Sequence, residues 1–427
     1  MLIMCTLPTY QHSNVSIKNT FFKKKDAFLL FLCLYKLILK TMRNYIKIFT
    51  AFLLSIFLSI SINGYSLDLD IRIFSDYKIP TFTFTAISGK YLLIANDETV
   101  LEIYKNNPLV IAQKGEKITI SRNNQLIGEF SEIVIQKAGL VNAFKINTNI
   151  KGATERIYDD ELHVHVQNDE LYLINRVELE RYIAGVVQSE IFGSSEDVDF
   201  FKIQAIIART YAITNLMKHM PEGYNLCDGV HCQTYKRRCN HSNIMMAVSH
   251  TFCDVVVDKE DKLISAAFFS NSGGQTENSE DVWVIPTSYL KSKVDTFSLD
   301  MRNSVWEKKI LKNEWIGYFT KNYPWVKSIP DYEKKLITFE QPNRKRYIMD
   351  SIRVTHIRRD FNLKSTFFSI SQEGEYVVLK GKGYGHGVGL SQEGAIKMIR
   401  LGYNFEDVIK FYYTDVKIVK YTDIIKY

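Results

Sequence analysis

From Leu67 to about Glu170 apolar and polar residues alternate with a period of two. LDLDIRIF from Leu67 and TFTFTAI from Thr81 are strict, and KITISR, EIVIQ, AFKINT and LHVHVQ continue the pattern. Turn-forming clusters (SGK, ANDE, KNNP, RNNQ) separate the runs, which predicts an antiparallel β module over residues 67–170. His163 and His165 fall on one strand face, where a metal pair could form; a half-exposed strand face is the preferred reading.

The period changes at Val177. Leu179, Tyr182, Ile183, Val186 and Val187 recur at helical spacing, and so do Ile203, Ile206, Ile207, Tyr211 and Ile213. Gly193 stands where a helix ends, and Ser194, Ser195 and Asp197 offer caps for the next. Glu190 is the last charged residue of the first helix. A carboxylate at that end faces the negative pole of the helix dipole, which disfavours its ionised form and suits a general acid. A solvated C-terminal Glu is the alternative.

Further on, residues 255–270 read as a β-hairpin around Lys259–Asp261. Residues 297–380 mix β runs with a helix at 312–321, and 347–357 and 376–380 read as strands. Phe405 to Tyr412 forms a short amphipathic helix, and VKIVKY ends the pattern in extended form. The expected fold class is α+β, an N-terminal antiparallel β module followed by a mixed α+β domain over residues 171–427. No internal repeat is visible.

Composition narrows the choice of partner and compartment. Of 427 residues, 46% are hydrophobic and 24% charged, enough for a substantial core. The net charge of +7 comes without a Lys/Arg stripe interleaved with aromatics, so nothing points to nucleic acid. Two apolar runs precede Leu67. The second, from Met42, has Arg43 and Lys47, an apolar stretch from Ile48 to Ile62, and small residues at Gly64 to Ser66. That is the shape of a secretory signal, with residues 1–41 as an upstream extension. Residues 1–66 are therefore a signal or a retained anchor, which would be the protein's one contact with a membrane. The expected location is the periplasm or cell envelope.

In an exported chain the four cysteines Cys227, Cys232, Cys239 and Cys253 imply disulfides or metal. Cys227 and Cys232, with His231 and His219, have the chemistry of a zinc site. A Cys227–Cys232 disulfide is the rival. Cys5 and Cys33 belong to the discounted segment.

Paired Gly273 and Gly274 in SNSGGQT read as a close-approach loop or an ordinary turn, with Ser270 and Thr276 as short polar groups. Glycines 381, 383, 385, 387 and 389 alternate in GKGYGHGVGLSQ, which fits neither dinucleotide nor phosphate-loop spacing. In an extended run they would leave one face bare for a ligand.

These blocks, in order, resemble the SpoIID/LytB family, related to stage II sporulation protein D. The quoted motifs are VELERYIAGVVQSEI with QAIIARTYA, then CDGVHCQTY, FFSNSGGQTENSEDVW and YLKSKVD, then GKGYGHGVGLSQEGA and FEDVIKFYYTDVKI. The resemblance runs from about Leu171 to the C-terminus. It implies a peptidoglycan lytic transglycosylase acting on glycan strands stripped of stem peptides, with Glu190 catalytic. Some relatives instead enhance a wall amidase, which would make an amidase a partner. The resemblance assigns substrate binding to the Ser270–Thr276 loop, with Gly273 and Gly274, and to His386, which bonds substrate or orients Glu190. Gly387 and Gln392 go with that last block. Arg209 orients Glu190, binds sugar, or forms a structural salt bridge. Gln204 and Tyr289 are expected sugar contacts or ordinary surface and core residues. No cofactor is required by a one-carboxylate mechanism, and zinc is possible.

Overall fold

The structure, a computed structural model, describes residues 67–424 apart from 154 and 192–194. The expected signal in 1–66, Cys5, Cys33, Gly193 and Ser194 lie outside the described residues.

The fold is α+β. The alternating region folds into β1 (Asp68–Ile73), β2 (Thr81–Ser88), β3 (Tyr91–Ala95), β4 (Glu98–Ile103), β5 (Leu109–Lys114) and β6 (Lys117–Arg122). β7 (Gln125–Phe130), β8 (Glu132–Lys137), β9 (Ala143–Asn147), β10 (Arg156–Asp159), β11 (Glu161–Gln167) and β12 (Glu170–Glu178) complete it. A short β13 (Leu226–Cys227) joins the first sheet, whose order is β13-β1-β12-β11-β8-β3-β4; the second is β10-β9-β2-β5-β6-β7. Alternation does what it should. Leu69, Ile71 and Ile73 of β1 and Phe82, Phe84 and Ala86 of β2 are buried, each large side chain contributing about 1.5–3 kcal/mol. Phe84 stacks on Phe144 at 5.2 Å between ring centroids. His163 and His165 point the other way from buried Leu162 and Val164.

The boundary expected at residue 170 falls inside the β11–β12 hairpin, and both strands lie in the first sheet. β1 pairs antiparallel with β12 on one side (Leu69↔Val177) and parallel with β13 on the other (Arg72↔Cys227). One continuous hydrophobic core then runs from β1 to Tyr421.

β12 leads straight into α1 (Leu179–Ile191), followed by α2 (Val198–Thr214). Asp197 caps α2 by accepting from the Asp199 backbone N–H at 2.8 Å, satisfying one of the helix's orphan donors. Leu179, Ile183 and Val187 of α1 and Ile203, Ile206 and Ile207 of α2 are buried, as their spacing predicts. A third helix, α3 (Ser242–His250), packs on both.

Three local expectations change. Strand Asp254–Val257 pairs with the C-terminal Lys417–Lys420, so the hairpin expected at 255–270 shrinks to a turn closed by Asp258 and Lys262. The strand expected at 347–357 is a two-residue hairpin, turned by Met349 and Asp350 at positive φ. It leads into a helix, Val354–Asp360, whose Val354 and Ile357 are buried at helical spacing. Residues 383–389 are not extended. Their four glycines have φ of +75°, +117°, +89° and +80°, and the chain winds through a tight irregular loop.

A second, smaller core gathers Trp306, Trp315, Phe319, Leu336 and Leu379 under the antiparallel strands Val305–Leu311, Phe368–Glu373 and Tyr376–Lys382. Arg344 pins this region to the 270s loop. Its buried side chain donates to Gln275 O (2.7 Å), Ser272 O (2.9 Å), Thr366 Oγ1 (3.0 Å) and Glu277 Oε2 (3.1 Å).

Candidate functional site

Glu190 lies one residue before the end of α1, half-buried. Its Oε1 accepts the backbone N–H of Thr234 at 2.7 Å. Oε2 has no hydrogen-bond partner among the described residues. The carboxylate opens into a cavity of about 410 Å³ that it shares with Tyr211, Val230, His231, Cys232, Phe268, Trp283 and His386. No other carboxylate lines this cavity among the described residues.

The cavity rim is apolar and exposed. Val230 is 95% exposed on one side, and Trp283 leads to Val284 and Ile285 on another. The Trp283 indole packs on the His386 ring at 5.2 Å. Its helix turn, Ser279–Trp283, is held by Arg353, which donates to Asp281 O at 2.8 Å. Val284 has φ +80°, which a β-branched residue adopts only under strain, so the rim stores local strain.

His386 reaches the cavity as expected, but both its nitrogens are spent on backbone. Nε2 donates to Phe268 O at 2.9 Å, and Nδ1 accepts the Val388 N–H at 3.1 Å. This fixes the neutral tautomer, and burial pushes the imidazole down to about 4. The ring therefore supplies a face for Trp283 and a prop for the Phe268 strand, and it makes no hydrogen bond to Glu190.

A second group sits in the wall of the same cavity. His219, Cys227, His231 and Cys232 offer one ligand atom each, all within 4.8 Å of one another. Cys232 Sγ lies 3.5 Å from His219 Nε2 and 4.0 Å from His231 Nδ1; Cys227 Sγ lies 3.8 Å from His231 Nδ1. Ligands around tetrahedral zinc sit roughly 3.3–3.8 Å apart, given Zn–S near 2.3 Å and Zn–N near 2.0 Å, so the donor set fits. His219 Nδ1 meets Glu222 Oε1 at 2.8 Å, which leaves Nε2 free to ligate. Both thiols are free rather than joined. The hydrogen bond from Cys232 holds the Cys227 thiol below the usual range, while that same bond pushes Cys232 up.

The remaining expected contacts lie outside this lining. Arg209 is fully buried and forms a two-pronged ion pair with Glu180, with a further bond to Asp254 O at 3.0 Å. It is the structural salt bridge and is committed away from Glu190, because α2 turns that face toward the start of α1. Gln204 is buried and accepts from Gln392 Nε2 at 3.3 Å, while its own Nε2 is buried without a partner among the described residues. Ser270 meets Asn303 Nδ2 at 3.3 Å. Thr276 is buried and accepts from Lys293 N at 2.8 Å. The Tyr289 hydroxyl accepts from Ser265 N at 2.8 Å.

Gly273 and Gly274 form a turn against Lys382 and Leu299, and Gly387 lies against the Arg344 guanidinium. The glycine positions thus do allow close approach, as expected, but the approaching chain is the protein's own. At Gly389 a Cβ would stand 2.2 Å from Ala267 O.

Tyr211, read from sequence only as part of an apolar helix face, belongs to the site, and so do Val230 and the Thr234 amide, which were not singled out. Thr234 falls inside the CDGVHCQTY run, but its contribution is a backbone donor that no side-chain pattern displays.

Another cavity, of about 350 Å³, lies between α1 and α3. Its charged residues are already paired: Glu180 with Arg209, Asp159 with Arg238, Arg181 with Asp160.

Residues 167–257, which hold α1, α2, Glu190 and the Cys/His group, match the family described as Stage II sporulation protein. The chain is 29% identical over 304 residues to stage II sporulation protein D of Bacillus amyloliquefaciens, covering 63% of this chain and 82% of that protein. It is 25% identical over 371 residues to an uncharacterized protein of Brachyspira hyodysenteriae, covering 83% and 96%. An amidase enhancer of Bacillus subtilis is 26% identical over 295 residues, covering 56% of this chain and 40% of that protein.

Proposed function

Because the chain carries a stage II sporulation protein D family domain, we propose that it works on the bacterial cell wall, as a lytic transglycosylase of peptidoglycan glycan strands. The observation that carries this reading is Glu190, the single carboxylate lining an apolar-rimmed cavity among the described residues, with one oxygen unbonded among them. Hydrolysis of a glycoside usually needs two carboxyl groups on opposite faces of the sugar. Intramolecular transfer needs one. Glu190 protonates the bridging oxygen as the bond from muramic acid C1 breaks. It then takes the proton from the C6 hydroxyl of that sugar as this oxygen closes on C1. The products are a 1,6-anhydro end and a free 4-hydroxyl, with no water consumed. The exposed Trp283 face suits a sugar ring, and the Thr234 amide keeps the carboxylate aimed through both proton transfers.

The same proposal puts zinc on His219, Cys227, His231 and Cys232. Bound there, the ion would neutralise the thiolate charge and clamp the segment that carries Val230 and Thr234 beside Glu190. Export to the cell envelope is part of this reading. Among the described residues no helix is long and apolar enough to cross a membrane.

A second reading is favoured by the amidase enhancer relative: a glycan-binding partner of a wall amidase, using the same cavity without proton transfer. The deciding measurement is mass spectrometry of products from peptide-free glycan. Anhydro-ended fragments support the transglycosylase. Intact strands, together with stimulated amidase turnover, sink it in favour of the second reading.

A further inference from the structure

Two hydroxyl side chains line the cavity that holds Glu190, on Tyr211 and Ser265. Ser265 is exposed, and its hydroxyl makes no hydrogen bond with a described residue, so nothing in the fold fixes its direction. Tyr211 is different. It stands in the last turn of α2, half-buried, and Lys218 Nζ donates to its oxygen at 3.2 Å. The same ammonium donates to the His231 carbonyl at 2.6 Å, and His231 is itself part of the cavity wall. Lys218 thus ties the phenol oxygen to the segment that carries Val230 and His231.

That tie uses only one side of the oxygen. The Tyr211 O–H has no acceptor among the described residues. Burial pushes the phenol above its ordinary value, so the proton stays on oxygen at neutral pH. A hydroxyl that accepts from an ammonium is also a stronger donor, because hydrogen bonds in a chain polarise one another. The cavity therefore holds a fixed donor with nothing to give its proton to.

The chemistry of a glycan strand says what can take it. Its neutral acceptors are ether and hydroxyl oxygens and the amide oxygens of acetamido groups, and the amide oxygen is the strongest of these. Glu190 acts at the oxygen on muramic acid C1 in the reading above. The acetamido group of that same sugar is on C2, one carbon from the breaking bond. The leaving sugar is joined through its C4, which puts its own acetamido group across the ring and away from Glu190. We infer that the Tyr211 hydroxyl binds the acetamido carbonyl of the muramic acid unit whose C1 bond breaks, with Lys218 as the positioning residue that holds the phenol in place. This rests on the glycan reading and adds to it the residue that recognises the sugar's amide.

The test is binding by the full chain carrying Glu190→Gln, so that no cleavage intervenes. The probes are oligomers of alternating N-acetylglucosamine and muramic acid, with the muramic acid nitrogens carrying either acetyl or thioacetyl groups. The two have nearly the same shape, but sulfur accepts hydrogen bonds poorly. The acetyl form should bind about three- to tenfold tighter, as one hydrogen bond predicts. Tyr211→Phe should erase that preference by weakening the acetyl form alone, and unchanged affinity for the thioacetyl form reports that the variant is folded. Lys218→Met should lose part of the preference, and Lys218→Arg, which can donate to the same two oxygens, should keep it. Equal affinity of the parent for both forms, or equal loss for both in Tyr211→Phe, overturns the inference while leaving the glycan reading intact. Full preference in Lys218→Met overturns the positioning role. Failure of both probes to bind the parent at millimolar concentration overturns the glycan reading and this inference with it.

Discussion

The backbone N–H of Thr234 donates to Glu190 Oε1 at 2.7 Å, joining the end of α1 to the segment that follows the Cys/His group. A glutamine at 190 can accept the same bond but cannot hand on a proton. Glu190→Gln should therefore melt within a few degrees of the parent, while anhydro-product release falls by about 10²–10⁴-fold or more. Turnover within threefold of the parent would exclude Glu190 as the acid.

Elemental analysis should find close to one zinc per chain. Cys227→Ser or His219→Ala should release it and lower the melting temperature. Cys239→Ser, buried but outside the group, should retain it. Metal-free protein in which Cys227 and Cys232 resist thiol reagents until reduced would establish the disulfide instead.

Burial holds His386 neutral down to about pH 4 in the folded protein, against an ordinary value near 6.5. Between these values the unfolded chain binds the extra proton and the folded one does not. Stability from this group is therefore present above about pH 6.5 and is lost as pH falls toward 4, on the order of 1–3 kcal/mol. Urea unfolding at pH 7 and pH 5 should show the loss, and His386→Asn should flatten it. An identical pH slope in the variant would place the effect elsewhere.

Arg209→Ala should cost roughly 3–5 kcal/mol, because the Glu180 carboxylate is left in the core without its partner. Glycan affinity of the folded fraction should be unaltered. A selective loss of binding at full stability would restore Arg209 to the ligand site.

Gly389→Ala places a methyl 2.2 Å from the Ala267 carbonyl at φ +80°. It should destabilise by about 2 kcal/mol or more, seen as a lowered denaturation midpoint. A neutral substitution would mean that the loop relaxes freely.

Period two and period 3.6 are local signals, and they located β1, β2, β6, β8, β9 and β11, and α1 and α2. The pairing of Asp254–Val257 with Lys417–Lys420 was not legible, because a strand's partner more than 150 residues away leaves no trace in its own pattern. The site divides in the same way. Glu190 and the Cys/His group were visible as chemistry at known positions. Arg209 and His386 had the right chemistry too, but where a side chain is already bonded depends on the face that packing gives it. Alternate glycines announced a close approach without saying to what, and it proved to be Ala267 to Gly273 and Arg344.

β1 runs in register beside Leu226–Cys227, with Arg72 opposite Cys227. The first strand among the described residues is thus a splint for one sulfur of the Cys/His group, and through that group for the wall around Glu190. A shortened protein starting at residue 171 would keep every residue of the cavity in its sequence and still lose the edge on which Cys227 is aligned. Its failure to act would say nothing about chemistry in the missing strands, none of which lines the cavity among the described residues.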